Sequence, residues 1–532
     1  MKRQFSLLTL CVTILVCFAD ATFPVAGVLP PVRKKVIDLC WGAPTVDYLA
    51  ANASRMEAET ALDGVVVRFQ GHRPKEDGKY DTIDITQLMG PFRVEYDWYA
   101  WAIEAYRNIP LRQLTDNFLY TVVSPGTMKW FSDSDWEAVC HNFQVLAKVA
   151  KEAGLKGILF DTEEYATHFW EFATIGDGHS FEECIAKARQ RGQEWGRAVF
   201  GEFPEIRIFC TYFVSNGSMT TMQKSFMNGV LDVIPSEAML IEGYEGGGYY
   251  ARTKENFVQL AADMYNKFPK LIAAENLPRY RNQVKLAIAF YVDALFKFRK
   301  GEYWHDIYQP DIGDDPVAFF RRNLYYAFQT TDEYVWLYGE KGSWWSKSSH
   351  ADEQKTWDEY APGATDAIRF AKDPMQADVA SLKNILYNPK LEELPEKHKS
   401  DWSFWLGRGD GKASVKDGIC TLTGVIRGSY HQDVPVKPGA LYLATAKVRR
   451  TPDTKRCLPR VFVAFKTASG TWTNRMNWTT IQATPDENGD WQSVKAIIET
   501  PTTAGMISFQ LSVEDQEDGE SVQFCEPGLY EF

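Results

Sequence analysis

The residues best suited to chemistry stand at the end of the run Gly157-Ile158-Leu159-Phe160-Asp161-Thr162-Glu163-Glu164-Tyr165, where an apolar stretch stops abruptly at three carboxylates. In an extended strand alternate side chains share a face, so Asp161 and Glu163 point the same way, about 7 Å apart along the chain, while Glu164 points the other way. Two carboxyl groups that close raise one another's proton affinity, which keeps one of them protonated as a general acid near neutral pH. The same acids could instead cap the following helix or pair with surface Arg or Lys. A second strand end, Met239-Leu240-Ile241-Glu242-Gly243-Tyr244-Glu245-Gly246-Gly247-Gly248, again runs from apolar residues into acids. Glu242 and Tyr244 share a face by alternation, and the glycines let backbone approach a ligand closely. A third, Glu333-Tyr334-Val335-Trp336-Leu337-Tyr338-Gly339-Glu340, places Trp336, Tyr338 and Glu340 on one face, with Trp344 and Trp345 just beyond. Arg68 and Gln70 end one further apolar run and Tyr291 and Asp293 another. Asp161, Glu163, Glu242, Tyr244 and Glu340 are therefore the candidate catalytic residues. Arg68, Gln70, Glu164, Glu245, Tyr291, Asp293, Trp336 and Trp345 are the candidate substrate-binding residues.

These clusters need a scaffold that brings separate strand ends together. From residue 32 to 387 short β-rich runs alternate with longer amphipathic stretches, the pattern of a parallel sheet with crossover helices. Eight candidate strands can be read: Lys35–Trp41, Gly64–Gln70, Phe118–Val123, Gly157–Asp161, Ile206–Phe213, Ala238–Gly243, Leu286–Val292 and Tyr334–Tyr338. Candidate helices include Asp135–Ala153, opened by Ser132 or Ser134, then Phe181–Phe200 and Lys254–Lys267. Eight such units predict an α/β fold of the (β/α)8 TIM-barrel type, in which catalytic residues project from the C-terminal strand ends. An open doubly wound sheet is the alternative, but no Gly-rich nucleotide fingerprint follows the first strand.

Residues 388–400 are charged and Pro-containing and read as a linker. Beyond them, residues 401–532 show short alternating strands between turn signals, as in an all-β sandwich. The run Val436-Lys437-Pro438-Gly439-Ala440-Leu441-Tyr442-Leu443-Ala444-Thr445-Ala446-Lys447-Val448-Arg449, followed by Gly489-Asp490-Trp491 and Ile507-Ser508-Phe509-Gln510-Leu511, resembles jelly-roll carbohydrate-binding modules of the cellulose- and xylan-binding type. In the first part Asp161-Thr162-Glu163, Gly243-Tyr244-Glu245 and the aromatic eighth strand near Trp336 look like the arrangement of chitinase-type glycoside-hydrolase barrels. That resemblance implies Glu163 as the acid, Asp161 as the group that orients a substrate acetamide, and Tyr244 as its assistant. The sequence departs from the family's longer Asp-x-x-Asp-x-Asp-x-Glu signature, with Gly157, Ile158 and Leu159 preceding Phe160.

The chain opens with Met1-Lys2-Arg3, an apolar run from Phe5 to Phe18 and Ala19-Asp20-Ala21, the three parts of a signal peptide covering residues 1–21. The apolar run is short of the roughly 20 residues that span a membrane, so a secreted or periplasmic protein with no membrane partner is expected after cleavage. Seven cysteines would remain, without the spacing of a zinc site. His72, His141, His168, His179 and His305 show no HExxH or paired spacing, so neither metal nor cofactor is expected. A net charge of −12 argues against a nucleic-acid partner. Absence of a Gly-x-Ser-x-Gly elbow disfavours an esterase. Seventeen Trp and 25 Tyr supply flat faces of the kind on which sugar rings stack. The expected activity is hydrolysis of glycosidic bonds in a polysaccharide or glycan, with Glu163 as general acid. A barrel that binds carbohydrate without cleaving it, or serves in adhesion, is the alternative from another class, and a polysaccharide lyase is a third.

Overall fold

The apolar runs become parallel strands of one sheet in a computed structural model, which describes residues 33–531 apart from 41–42, 85–87, 124–127, 164–167, 216–220, 297–314, 340–356, 377, 393–400, 452–453, 455–456 and 484–488. The strands are β1 (Lys35–Cys40), β2 (Gly64–Val67), β5 (Phe118–Val122), β6 (Gly157–Asp161), β7 (Arg207–Cys210), β8 (Met239–Glu242), β9 (Val284–Leu286), β10 (Ile288–Tyr291) and β11 (Tyr334–Gly339). A hairpin of β3 (Gln70–Pro74) and β4 (Tyr80–Asp84) is inserted after β2. The nine strands follow the order β10-β11-β1-β2-β5-β6-β7-β8-β9. The stretch from Val284 to Tyr291 joins the two ends of that order. Its first half pairs with β8 and its second half with β11, and Ala287 N–H donates to Glu242 O at 2.8 Å where it changes partner. The expected TIM-type barrel is thus the observed architecture, its seventh strand split between two partners.

The crossover helices form because each carries an apolar stripe and a good cap. Asp133–Ala153 begins where Ser132 accepts the Asp135 N–H at 3.3 Å, and ends at Gly154 with φ of 80°. Phe181–Glu202 opens with a capping box in which Ser180 and Glu183 satisfy each other's backbone N–H. Such a cap contributes about 1 kcal/mol. Both faces of the barrel strands are covered, which is why the strands read as unbroken apolar runs. The inner face presents Ile37, Leu39, Val66, Phe118, Leu159, Phe209, Ile241, Ala289, Tyr334 and Trp336, which fill the barrel, while the intervening residues pack under the helices. At the N-terminal end the barrel is floored by a polar network. Lys35 Nζ meets Asp116 at 2.8 Å and Glu333 at 2.7 Å, Arg207 meets Glu333 at 2.7 Å, and Tyr334 donates to Asp116 at 2.7 Å.

The C-terminal part is a sandwich of two antiparallel sheets. One has the order β12-β15-β20-β17-β18 and the other β13-β14-β21-β16-β19. The first sheet comprises β12 (Ser403–Arg408), β15 (Arg427–Pro435), β20 (Met506–Glu514), β17 (Leu458–Lys466) and β18 (Thr479–Gln482). The second comprises β13 (Lys412–Lys416), β14 (Ile419–Thr423), β21 (Ser521–Glu531), β16 (Leu441–Arg450) and β19 (Gln492–Glu499). Of the stretch read as a linker, residues 388–392 are described: Leu391 packs with Leu386 and Trp402 into the sandwich core, and Asn384 bridges to Tyr530. Leu441 and Leu443 of β16 join the apolar layer of the barrel helices, and Lys254 pairs with Glu499 across the same contact. The segment read as a signal peptide lies outside the described residues. Among the described residues no helix is long and apolar enough to cross a membrane.

Candidate active site

The C-terminal end of β6 delivers Asp161 into the mouth of the barrel, since Leu159 faces the interior and the side chain two residues on must do the same. Asp161 is 4 % exposed. Its Oδ1 accepts the Thr211 hydroxyl at 3.2 Å and the Glu163 N–H at 3.0 Å, and its Oδ2 accepts the Tyr120 hydroxyl at 3.4 Å. The bond to Glu163 N–H turns the chain after the strand and holds Glu163 beside Asp161. Glu163 Oε1 in turn accepts the Tyr212 hydroxyl at 2.6 Å. Below this turn Thr162 is locked by Tyr212 O at 3.0 Å and by Trp170 Nε1, which donates to Thr162 O at 3.0 Å.

The second acid cluster divides between two faces. Ile241 points into the barrel, so Glu242 points outward. There it is fully buried and accepts the N–H groups of Phe213 (2.9 Å), Val214 (2.6 Å), Ser215 (3.1 Å) and Tyr244 (2.9 Å), with the Ser215 hydroxyl at 2.7 Å. Burial raises its proton affinity, opposed by these donors. Tyr244 shares this outer face, as alternation expects. Its hydroxyl donates to Asp263 at 2.9 Å and its ring packs on Phe268 under the helices. Neither Glu242 nor Tyr244 lines the mouth. Tyr244 has φ of 44°, and the next residue, Glu245, opens the short helix Glu245–Tyr250 with its side chain turned to the barrel mouth. The glycines expected to approach a ligand form this helix instead. A Cβ at Gly248 would lie 2.3 Å from Ala289 O, so glycine there allows the helix to pack on β10.

Glu245 is the third acid at the mouth. It is 8 % exposed, Oε1 accepts the Tyr249 hydroxyl at 2.7 Å, and Oε2 has no hydrogen-bond partner among the described residues. Burial, followed by the negative charge of Glu163, pushes its proton affinity well above that of an ordinary carboxyl, against the influence of Tyr249 and Tyr212. Tyr212 therefore sits beside both glutamates. Burial and those two acids push its own pKa up, so it remains a neutral donor.

Leu39, Tyr120, Asp161, Glu163, Thr211, Glu245, Trp336 and Tyr338 line one narrow cleft of about 20 Å³. The structure thus brings together Asp161, Glu163, Glu245 and Trp336 from the expected set. Trp336 Nε1 donates to Gly243 O at 2.8 Å, which anchors the indole across the mouth. Tyr291 is buried next to it, its ring 5.2 Å from Tyr249 and 5.3 Å from Tyr338, and Asp293 is buried in the turn beyond. Arg68 pairs with Asp84 and Gln70 lies on the β3–β4 hairpin, neither of them lining the cleft. Glu164, Glu340 and Trp345 lie outside the described residues. The residue reading passed over Tyr212, Thr211, Tyr120 and Tyr249. Thr211 and Tyr120 continue the inward alternation of β7 and β5, a signal present in the sequence, whereas Tyr212 is brought to the site by the turn that follows β7.

A second concave feature lies on the sandwich. The face of sheet β12-β15-β20-β17-β18 forms a groove of about 370 Å³ lined by Trp405, Arg427, Ser429, His431, Arg460, Phe462, Trp472, Arg475, Trp478, Ser508, Gln510 and Ser512. Strand register aligns Trp405, Ser429, Ser512 and Arg460 in one row across the sheet. A second row comprises His431, Gln510 and Phe462. Trp405 and Trp472 stand at opposite rims, 47 % and 48 % exposed.

No protein-family model and no curated protein matches the sequence. Among solved structures, a glucosidase from Croceicoccus marinus is similar over 93 % of this chain and 96 % of its own, at 9 % identity and a TM-score of 0.38. A CBM4 structure is similar over 28 % of this chain and 99 % of its own, at 18 % identity and a TM-score of 0.21. The CBM22-1 xylan-binding domain from Paenibacillus barcinonensis is similar over 26 % of this chain and 88 % of its own, at 12 % identity and a TM-score of 0.19.

Proposed function

We propose that this protein is an exported glycoside hydrolase that cleaves a polysaccharide or glycan at the barrel mouth, with residues 401–532 acting as its carbohydrate-binding module. The observation that supports the reading is the pair Glu163 and Glu245 about one hydroxyl, that of Tyr212, with the proton affinity of Glu245 raised by burial and by its neighbour. Glycoside hydrolysis needs two carboxyl groups in opposite states across the scissile bond, one to give a proton and one to act as a base or nucleophile. Residue types and spacing put the proton on Glu163; the burial of Glu245 favours the reverse assignment. Glu245 then gives its proton to the leaving glycosidic oxygen. Glu163 attacks the anomeric carbon or takes a proton from the attacking water. Tyr212 and Asp161 hold Glu163 through its side chain and its N–H, and the buried Trp336 closes the barrel beneath the acids.

Sugar release from a panel of neutral, amino-sugar and acidic glycans tests the reading. Glu245→Gln and Glu163→Gln are each expected to lower kcat by about 10²- to 10⁴-fold, the usual contribution of a positioned acid or base, while glycan binding persists. Binding without turnover by the unaltered protein across the whole panel would move the non-catalytic carbohydrate binder ahead of the hydrolase.

A further inference from the structure

The groove on the sandwich carries a charge that an uncharged sugar polymer does not call for. Arg427, Arg460 and Arg475 line it, no carboxylate among the described residues does, and Lys466 lies at its rim with Nζ 4.2 Å from the Trp472 ring centroid. Two carboxylates are in contact with these cations, Glu514 at 2.6 Å from Arg460 and Asp433 at 2.7 Å from Lys466. Arg427 and Arg475 are left without an ion pair among the described residues, although the chain as a whole carries a net charge of −12. Positive charge concentrated in one groove of an acidic protein marks that groove for an anionic ligand. The remaining lining narrows the chemistry. Gln510, half-buried above the buried Ser429, Ser508 and Ser512, offers an uncharged amide on the floor, as a hydroxyl-rich ligand requires. Trp405 on β12 and Phe462 on β17 lie three strand spacings apart, about 14 Å, which is room for a short run of linked rings. Arg475 stacks over Trp478 with its guanidinium 5.4 Å from the ring centroid, and Trp472 packs 5.3 Å from the same indole. That rim is an aromatic platform with a cation fixed to it.

We infer that this groove takes an acidic polysaccharide, its negative groups met by Arg427 and Arg475 and its rings by Trp405 and Trp472. The inference rests on the reading that the sandwich binds carbohydrate. Guanidinium groups form paired hydrogen bonds to planar carboxylates and also bind sulfate esters, so the shared chemistry is an anionic sugar of either kind.

Affinity electrophoresis and calorimetry of the full chain against polygalacturonate, a sulfated galactan, neutral galactan and polyglutamate test the proposal. The tighter of the two acidic polysaccharides is expected to exceed neutral galactan by about tenfold or more, and its identity shows whether the charge is carboxylate or sulfate. The gap should close when salt is raised to about 0.5 M, because exposed charge pairs are screened over a few ångströms there. In low salt, the double variant Arg427→Gln with Arg475→Gln should close it while affinity for neutral galactan stays unchanged. Trp405→Ala should weaken binding of every polysaccharide. Equal affinity for acidic and neutral polymers, both lost in Trp405→Ala, overturns charge selection and leaves the carbohydrate reading standing. Polyglutamate bound as tightly as polygalacturonate, with no effect of Trp405→Ala, overturns both in favour of a plain polyanion contact. Binding of no polymer overturns the carbohydrate reading itself.

Discussion

The raised proton affinity of Glu245 has consequences for both stability and rate. Its proton affinity in the folded protein is raised, first by burial and then by Glu163. The folded state therefore binds that proton more tightly than the unfolded chain does. Stability from this group is complete below the unfolded carboxyl pKa, near 4.3, and is lost as pH rises toward the folded value. Glu245→Gln removes the titrating group while keeping its shape, so the fall in urea midpoint as pH rises above about 4.3 should flatten. An unchanged slope would mean the proton is held elsewhere. If the proposed chemistry holds, the alkaline limb of the kcat/KM profile also belongs to Glu245 and moves when its neighbour's charge is removed. Tyr212→Phe tests the positioning of Glu163 separately. Loss of a hydrogen bond to a charged group is worth about 1.5 to 3 kcal/mol, so kcat/KM should fall by roughly ten- to hundredfold. A purely structural role for Tyr212 would lower stability and leave the pH profile of kcat/KM where it was. Asp161 and Glu163 were legible as a pair because two-residue spacing at the end of an apolar run puts them on one face, although the same signal at Glu242 marked a structural acid. Tyr212 was not, since it reaches Glu163 by a turn that no periodicity records.

At the scale of strands and loops, the alternation in β8 told which residues share a face but not which face looks inward. A parallel strand buried on both sides is apolar on both sides, so Glu242 and Tyr244 gave no sign that they belong under the helices. What they do there is visible in the hydrogen bonds. Glu242 gathers the backbone N–H groups of Phe213, Val214, Ser215 and Tyr244, tying the loop after β7 to the turn that presents Glu245. Glu242→Ala would leave several buried donors unmet at about 1 to 3 kcal/mol each. We expect a loss of at least about 3 kcal/mol by urea unfolding, together with the loss of whatever activity depends on Glu245. A stable variant with altered activity alone would show that the loop is held by other contacts. The sandwich groove was not legible along β15, because Ser429 is buried and Tyr430 half-buried between Arg427 and His431, so the strand shows no clean two-residue period.

For the whole molecule, the change from β/α to all-β patterning was plain in the sequence, and the parallel sheet and antiparallel sheets follow it. The edge between them was harder to read. Polar and Pro-containing composition marked residues 388–400 as a connection, yet Leu386 and Leu391 are buried in the sandwich core beside Trp402. Their isolated leucines lie in a stretch too short to show a period. Truncating a buried leucine costs about 2 to 5 kcal/mol. A fragment of residues 384–532 should therefore unfold cooperatively at a clearly higher urea concentration than one of residues 401–532. Equal midpoints would place the boundary after residue 400 and reduce the two leucines to incidental contacts.

The pairing of β1 with β11 also bears on how the chain is made. Lys35 and Tyr334 are register partners, and the floor beneath them draws its charges from residues 35, 116, 207 and 333. While a ribosome is still adding residues to the growing polypeptide, the first strand has a neighbour on one side only, and its other edge stays available to any passing strand. Nothing within the nascent barrel can cover that edge until about 300 further residues have been synthesised. Export in an unfolded form would postpone closure until the whole chain is across, so that the edge and its partner become available together.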